Sequence, residues 1–200
     1  MDKLTERVWS ALDLLDKRSP SCSELEHIAN KLGCKLRSGA TRWAFVFVRE
    51  RIVYKFPRYG SVSTDYCALE LANYNLGKKY RIEKCLLPIA LVGELPCGLP
   101  IYTQPMYDRP HEALGWQDEE KLRERLGQLH NSPIVRKVQN GCYSCPQRLW
   151  IERAIQIYGK AFMRSFEKWS REGQVNDLHG GNVGWLGKQP IIIDYAGYHG

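Results

Sequence analysis

The chain has 200 residues, 44% of them hydrophobic and 26% charged, with a formal net charge of +7. That balance excludes a disordered, collagen-like or low-complexity chain and points to one soluble domain, or two small lobes sharing a core. The longest purely apolar run, Trp43–Val48, has six residues, far short of the roughly 20 that a membrane helix needs.

The first ten residues mix both charges and contain no apolar stretch with a small-residue cleavage site. No signal peptide is therefore expected, and a cytoplasmic protein is. Residues 1–40 carry 7 basic and 6 acidic side chains, 41–106 carry 9 and 5, 107–146 carry 6 and 6, and 147–200 carry 7 and 5. The excess is spread thinly, and its densest run (Lys78, Lys79, Arg81, Lys84) contains Glu83. Such dispersion argues for solvated surface and against a nucleic-acid stripe, while leaving room for an anionic ligand or acidic partner. The seven cysteines (22, 34, 67, 85, 97, 142 and 145) form no regular framework. They are expected as reduced thiols, with Cys142 and Cys145 two loop thiols, because no second ligand pair completes a zinc site.

Leu4, Val8, Leu12 and Leu15 recur at helical spacing and predict an amphipathic helix over 2–17, stopped by Pro20. A second helix runs to Leu32, with Ser23 as its N-cap and Gly33 closing it. Strands follow at Lys35–Ser38, Trp43–Arg49 and Ile52–Phe56, the last two joined by a tight charged turn at Glu50-Arg51. Residues 64–79 return to helix. Leu86–Val92 and Leu99–Thr103 flank a Gly/Pro turn and predict a hairpin. Asp118–Leu129 is a charged helix, and 131–146 a loop rich in Pro, Asn, Gly and Cys. The longest helix is expected from Gln147 to Arg171, its buried stripe running from Ile151 to Trp169, with Gly173 ending it. A polar loop over 176–184 and an apolar strand, Ile191–Ile193, finish the pattern. Trp43, Trp116, Trp150 and Trp169 are expected in the core or at a lobe interface, and His111 and His130 in loops or on the surface.

Chemistry concentrates in Val175-Asn-Asp-Leu-His-Gly-Gly-Asn182 and Ile191-Ile-Ile-Asp194. Two aspartates and an asparagine form an oxygen-rich set of the kind that suits Mg²⁺ shared with phosphates. Gly180-Gly181 lets the loop curl so that Asp177 and Asn182 can face one site. Upstream, Lys55 ends an apolar strand and needs a partner. Glu70 is the only acid between Asp65 and Glu83 and sits among Ala68, Leu69, Leu71 and Ala72. A Lys55–Glu70 pair is expected.

Together these residues resemble the protein-kinase family over about residues 34–200. The resemblance implies an α+β, bilobal fold with an antiparallel N-lobe sheet and a truncated helical C-lobe. Residues 1–33 would be a helical extension, 34–106 the N-lobe with its hinge, and 107–200 a minimal C-lobe. It also implies that Lys55 holds the α- and β-phosphates of ATP with Glu70 as its partner, and that Asp177 orients the acceptor hydroxyl and takes its proton. Asn182 and Asp194 would bind Mg²⁺. Tyr102-Thr103-Gln104-Pro105-Met106 falls where such kinases hold adenine.

Departures are as informative. Of the glycine-rich phosphate loop only Gly39 survives, in Arg37-Ser-Gly39-Ala-Thr-Arg42, so Arg37 and Arg42 are expected to add charge to the phosphate grip. His179 stands where Ser/Thr kinases carry a lysine, and the loop Asp-Leu-His-Gly-Gly-Asn is also similar to that of aminoglycoside- and choline-type phosphotransferases. Only six residues follow Asp194, which implies no activation segment and a peptide groove that is absent, rebuilt from 107–146 and the N-terminal helices, or supplied by a partner. Compact kinases of this kind resemble those of bacteriophages and enteric-pathogen effectors. The leading expectation is a minimal Ser/Thr protein kinase acting on a host-cell protein in the cytoplasm, with an activating protein partner as one possibility. A small-molecule phosphotransferase and a non-catalytic ATP-binding module are the alternatives.

Overall fold

A computed structural model describes residues 1–59, 64–107, 148–178, 182–186 and 189–196. The chain is mixed α+β and divides into two units, one of residues 1–71 with 89–106, the other of 72–88 with 107–200. The predicted helix over 118–129, the 131–146 loop with Cys142 and Cys145, and Trp116, His111, His130, His179 and the Gly180-Gly181 pair lie outside the described residues.

The first unit begins with helix α1 (Lys3–Asp13), whose N-cap Asp2 accepts the Leu4 and Thr5 N–H groups. It is shorter than its apolar spacing predicts. Leu15 and Asp16 bond back to Leu12 and Asp13 in an i→i+3 pattern that tightens the chain into a turn. Helix α2 (Cys22–Leu32) is capped by Ser21 rather than Ser23, because Ser21 and Glu24 satisfy each other's backbone N–H groups in a capping box. Gly33 closes it in the left-handed conformation (φ 70°).

Strands β1 (Lys35–Ser38), β2 (Arg42–Phe47), β3 (Ile52–Pro57), β4 (Ala90–Glu94) and β5 (Pro100–Pro105) form one antiparallel sheet in the order β1-β2-β3-β5-β4. The fourth strand starts later than its apolar run predicts, since Pro88 cannot donate to a ladder. Trp43, Phe45, Phe47, Tyr54 and Phe56 alternate onto one face and bury against Val8, Leu12, Leu25, Ile28 and Ala29 of the two helices. Thr5 Oγ1 and the Tyr54 hydroxyl share a buried hydrogen bond of 2.7 Å across that interface. Residues 1–33 thus pack as part of the sheet's own core.

Helix α3 (Tyr66–Lys79) crosses from one unit's residues into the other's. In the second unit, the helix expected from 147 to 171 is two: α4 (Arg148–Tyr158) and α5 (Lys160–Glu172). Gly159 between them takes φ 87°, a left-handed conformation that ends one helix and starts the next. Ile151, Ala154, Phe162, Phe166 and Trp169 of the predicted stripe are buried, its Ile155 and Tyr158 are half-buried, and Trp150 beside it is buried as well. Their indole N–H groups are satisfied, Trp150 donating to Ile191 O and Trp169 to Asn73 O. Strands β6 (Val183–Leu186) and β7 (Gln189–Ile192) pair as an antiparallel hairpin, so the end of the chain holds one strand more than expected.

No helix among the described residues is long and apolar enough to cross a membrane. Cys22, Cys34, Cys67, Cys85 and Cys97 are free thiols. Burial raises Cys34 to about 11 and holds Cys67 and Cys85 higher still, so all three are thiols rather than thiolates at neutral pH.

Candidate functional site

Because side chains alternate, the sheet turns Arg42, Ala44, Val46, Val53 and Lys55 to the face opposite the aromatic core. Register aligns Ala44, Lys55 and Tyr102 in one cross-strand row, and Val46, Val53 and Gln104 in the next. Ala44, Val46 and Val53 are half-buried. This face therefore offers a small apolar floor with an ammonium at its side.

Glu70 fixes that ammonium. Asp65 starts α3 by accepting the backbone N–H groups of Cys67 and Ala68 at 2.8 and 3.0 Å. Its other oxygen accepts the Tyr102 hydroxyl at 2.7 Å. Burial, reinforced by the Asp65 carboxylate, pushes that hydroxyl far above the ordinary phenol range, so Tyr102 remains a donor. One and a half turns later Glu70 is fully buried. Lys55 Nζ donates to both of its oxygens at 3.0 Å, Arg42 Nη1 donates to Oε2 at 2.8 Å, and Gln104 Nε2 to Oε1 at 3.2 Å.

The expected Lys55–Glu70 pair is present, and two residues expected at the nucleotide, Arg42 and Gln104, also bond the same carboxylate. Arg42 and Gln104 are drawn there because strand register puts both on Glu70's side of the sheet. Thr103 pairs with Tyr54 and so shares the opposite face from Lys55. Met106 commits its backbone N–H to Arg51 O at 2.8 Å. Gly39 sits in the β1–β2 turn, its N–H on Arg42 O at 2.9 Å. A Cβ there would meet nothing closer than 3.8 Å, so packing does not demand glycine.

The downstream residues gather in the second unit. Val175 and Leu178 are buried and anchor the segment on either side of Asp177, which is half-buried. Asn182 Nδ2 donates to Asp177 O at 2.7 Å and to Asp177 Oδ2 at 3.1 Å. Asn182 O in turn accepts the backbone N–H of Ile193 at 2.9 Å and of Asp194 at 3.4 Å. Asp177, Asn182 and Asp194 are thereby held in one cluster, with Asp194 Oδ1 accepting Ala196 N–H at 3.5 Å.

Behind the cluster, the Tyr195 hydroxyl donates to Leu87 O at 2.5 Å and Asn73 Nδ2 donates to Tyr195 O at 2.8 Å. Asn73 and Tyr195 were not legible as site supports, although an asparagine in the apolar half of a helix is the kind of residue that needs a buried partner. Among the described residues no three His, Cys, Asp or Glu side chains come together as a metal centre. An asparagine amide oxygen and one carboxylate are nevertheless the hard donors that Mg²⁺ takes when phosphates and water complete its shell.

No family model, curated protein or solved structure matches this chain.

Proposed function

We propose that this chain is a minimal, bilobal protein-kinase-like enzyme that transfers the γ-phosphoryl group of ATP to a Ser or Thr hydroxyl of a protein. The observation that carries the reading is Lys55 seated on both oxygens of the buried Glu70. They stand fifteen positions apart on two different elements, β3 and α3, and no helix or turn spacing forces the pair. The cluster of Asp177, Asn182 and Asp194 supports it.

In this reading the Ala44, Val46 and Val53 floor takes the adenine ring and Lys55 the α- and β-phosphates. Glu70 positions Lys55 and keeps it extended along the sheet. Mg²⁺ held by Asn182 and Asp194 would neutralise charge on the phosphates and the leaving ADP. Asp177 orients the acceptor hydroxyl and receives its proton as the new O–P bond forms and the bond to the β-phosphate oxygen breaks. The Asn182 amide fixes the Asp177 carboxylate, so the base is placed before the substrate arrives. The acceptor would be a protein of a cell the enzyme enters or inhabits, met in the cytoplasm, with a protein partner able to complete the acceptor groove.

The test is incubation with γ-labelled ATP and Mg²⁺ in a bacterial and a eukaryotic lysate, beside an Asp177→Ala control. Labelled protein bands that vanish in the control are the expected result. Label confined to small metabolites would replace the protein acceptor with a small hydroxyl compound. No label at all, with ATP still bound, would reduce the chain to an ATP-binding module.

A further inference from the structure

Two basic segments far apart in the sequence meet in the second unit. Lys79 Nζ donates to Glu172 Oε1 at 2.7 Å, and the Tyr80 hydroxyl donates to the other oxygen of the same carboxylate. At the opposite end of α5, Lys84 Nζ lies 5.0 Å from the Phe162 ring and 5.0 Å from that of Tyr158. The run from Lys78 to Lys84 is thus laid along the flank of α5.

The helix itself is sharply two-sided. Phe162, Met163, Phe166 and Trp169 are buried, while Lys160, Arg164, Lys168 and Arg171 are exposed. Spacings of four, four and three residues place those cations in one stripe down the outer face. Among the described residues Lys160, Arg164 and Lys168 enter no ion pair. By contrast α1 exposes Lys3, Glu6, Arg7 and Asp13, and α2 exposes Glu26 and Lys31, the mixed pattern of an ordinary solvated face.

Residues 78–84 and 160–172 together hold eight cations against three acids, a net +5. Charge from two segments far apart in the sequence is thus brought together along α5. Glu172 is already neutralised by Lys79, which leaves Glu83 and Glu167 as the remaining acids of these two segments.

We propose that the outer face of α5 with the adjoining 78–84 segment is a docking surface for an acidic helix of a protein partner. The proposal is independent of the phosphotransfer reading. Cations four residues apart repeat about every 6 Å along α5, and carboxylates four residues apart on a partner helix repeat at the same interval. Such a partner can omit a carboxylate opposite Glu83 and Glu167. A nucleic-acid backbone presents phosphates continuously and would meet both acids in repulsion. Among the described residues the exposed large apolar ones are Met1, Leu14, Val48, Leu91 and Leu186, none of them on α5. The stripe accordingly lacks the apolar side chains that an interfacial membrane helix inserts.

The experiment is fluorescence anisotropy of the full chain with a labelled helical peptide bearing Glu at every fourth position. Affinity is expected to fall as salt rises from about 0.05 to 0.2 M. Arg164→Glu/Lys168→Glu should weaken binding by about tenfold or more, whereas Lys3→Glu/Lys31→Glu, an equal charge change on α1 and α2, should leave it within about twofold. Should the first variant fail to fold, Lys160→Ala/Arg164→Ala tests the same surface with half the charge change. Equal weakening by the α5 and the α1/α2 variants would reduce the surface to bulk charge and overturn the proposal. Tighter binding of a short RNA duplex, or of phosphatidylserine vesicles, than of the peptide would overturn it too.

Discussion

Lys55 and Glu70 are bound asymmetrically: Glu70 is a principal acceptor for Lys55, but Lys55 is only one of three donors to Glu70. Removing the acid takes the shared acceptor away from two cations and an amide in a largely buried place. Glu70→Ala should therefore cost about 3–5 kcal/mol of folding stability. Lys55→Met leaves the carboxylate with Arg42 and Gln104 and should cost clearly less. Urea unfolding of the two variants measures the difference, and equal losses would contradict the shared-acceptor geometry. Both should abolish phosphoryl transfer if Lys55 holds the phosphates.

Gly173 is a packing requirement of the Asp194 cluster. A Cβ at this position would fall 2.5 Å from Asn73 Oδ1 and 3.1 Å from Trp169 O. The Asn73 side chain is buried and donates to Tyr195 O, so it cannot swing aside without losing that bond. Gly173→Ala is expected to destabilise the chain by about 1–3 kcal/mol. Asn73→Ala in the Gly173→Ala background should recover part of the loss, because it removes the clashing atom. Thermal unfolding of the single and double variants decides it, and additive losses would refute the clash.

The N-terminal helices belong to the core of the sheet. Leu12 and Leu25 are fully buried against the aromatic face of the strands. Leu12→Ala or Leu25→Ala should each cost about 2–5 kcal/mol. A chain lacking residues 1–33 would expose Trp43, Phe45, Phe47, Tyr54 and Phe56 together. Loss of a cooperative denaturant transition in that chain is the expected outcome, and a fully cooperative, soluble fragment would show the helices to be dispensable.

Acid should loosen α2 in a defined window. The Lys17 ammonium beside Glu24, with the Ser21 backbone and hydroxyl donors, lowers the Glu24 carboxyl to about 2 from an ordinary 4.5. Folding thus favours the ionised form, so its contribution is complete above pH 4.5 and fades as pH falls toward 2. Lys17→Ala/Ser21→Ala should return the carboxyl toward its ordinary value, and loss of the cap alone should cost about 1 kcal/mol. A carboxyl-detected NMR titration of Glu24 checks the shift, and an unchanged midpoint in the double variant would contradict the assigned cause.

Local signals located much of this architecture. Helix and strand periods placed β1, β3 and α3 within two residues of their observed bounds, and the isolated acid among apolar residues, read together with Lys55 and the Asp177, Asn182 and Asp194 set, marked Glu70 as the partner of Lys55. What escaped depends on distance in the chain. Arg42 and Gln104 reach Glu70 only through the register of β2, β3 and β5, which no local window contains. The break at Gly159 was hidden because apolar spacing continues through it, and a glycine inside a helix costs only about 1 kcal/mol. Strand β6 had a usable signal, since Val183–Leu186 and Gln189–Ile192 are separated by two residues beginning with glycine. The surrounding Gly- and Asn-rich stretch masked it. The basic band was invisible for the opposite reason, because its two halves are 75 residues apart.

The hydrogen bond between Thr5 and Tyr54 has a consequence for Lys55, the next residue on β3. Neighbouring strand residues face opposite sides, so a slip of β3 by one position would exchange them. The ammonium would enter the aromatic core and a tyrosine would replace it beside Glu70. Thr5, held on the Asp2 cap by a 2.8 Å hydrogen bond, grips the strand from behind by a side chain that such a slip would displace. The opening turn of the chain thus acts as an alignment pin for a lysine it never touches.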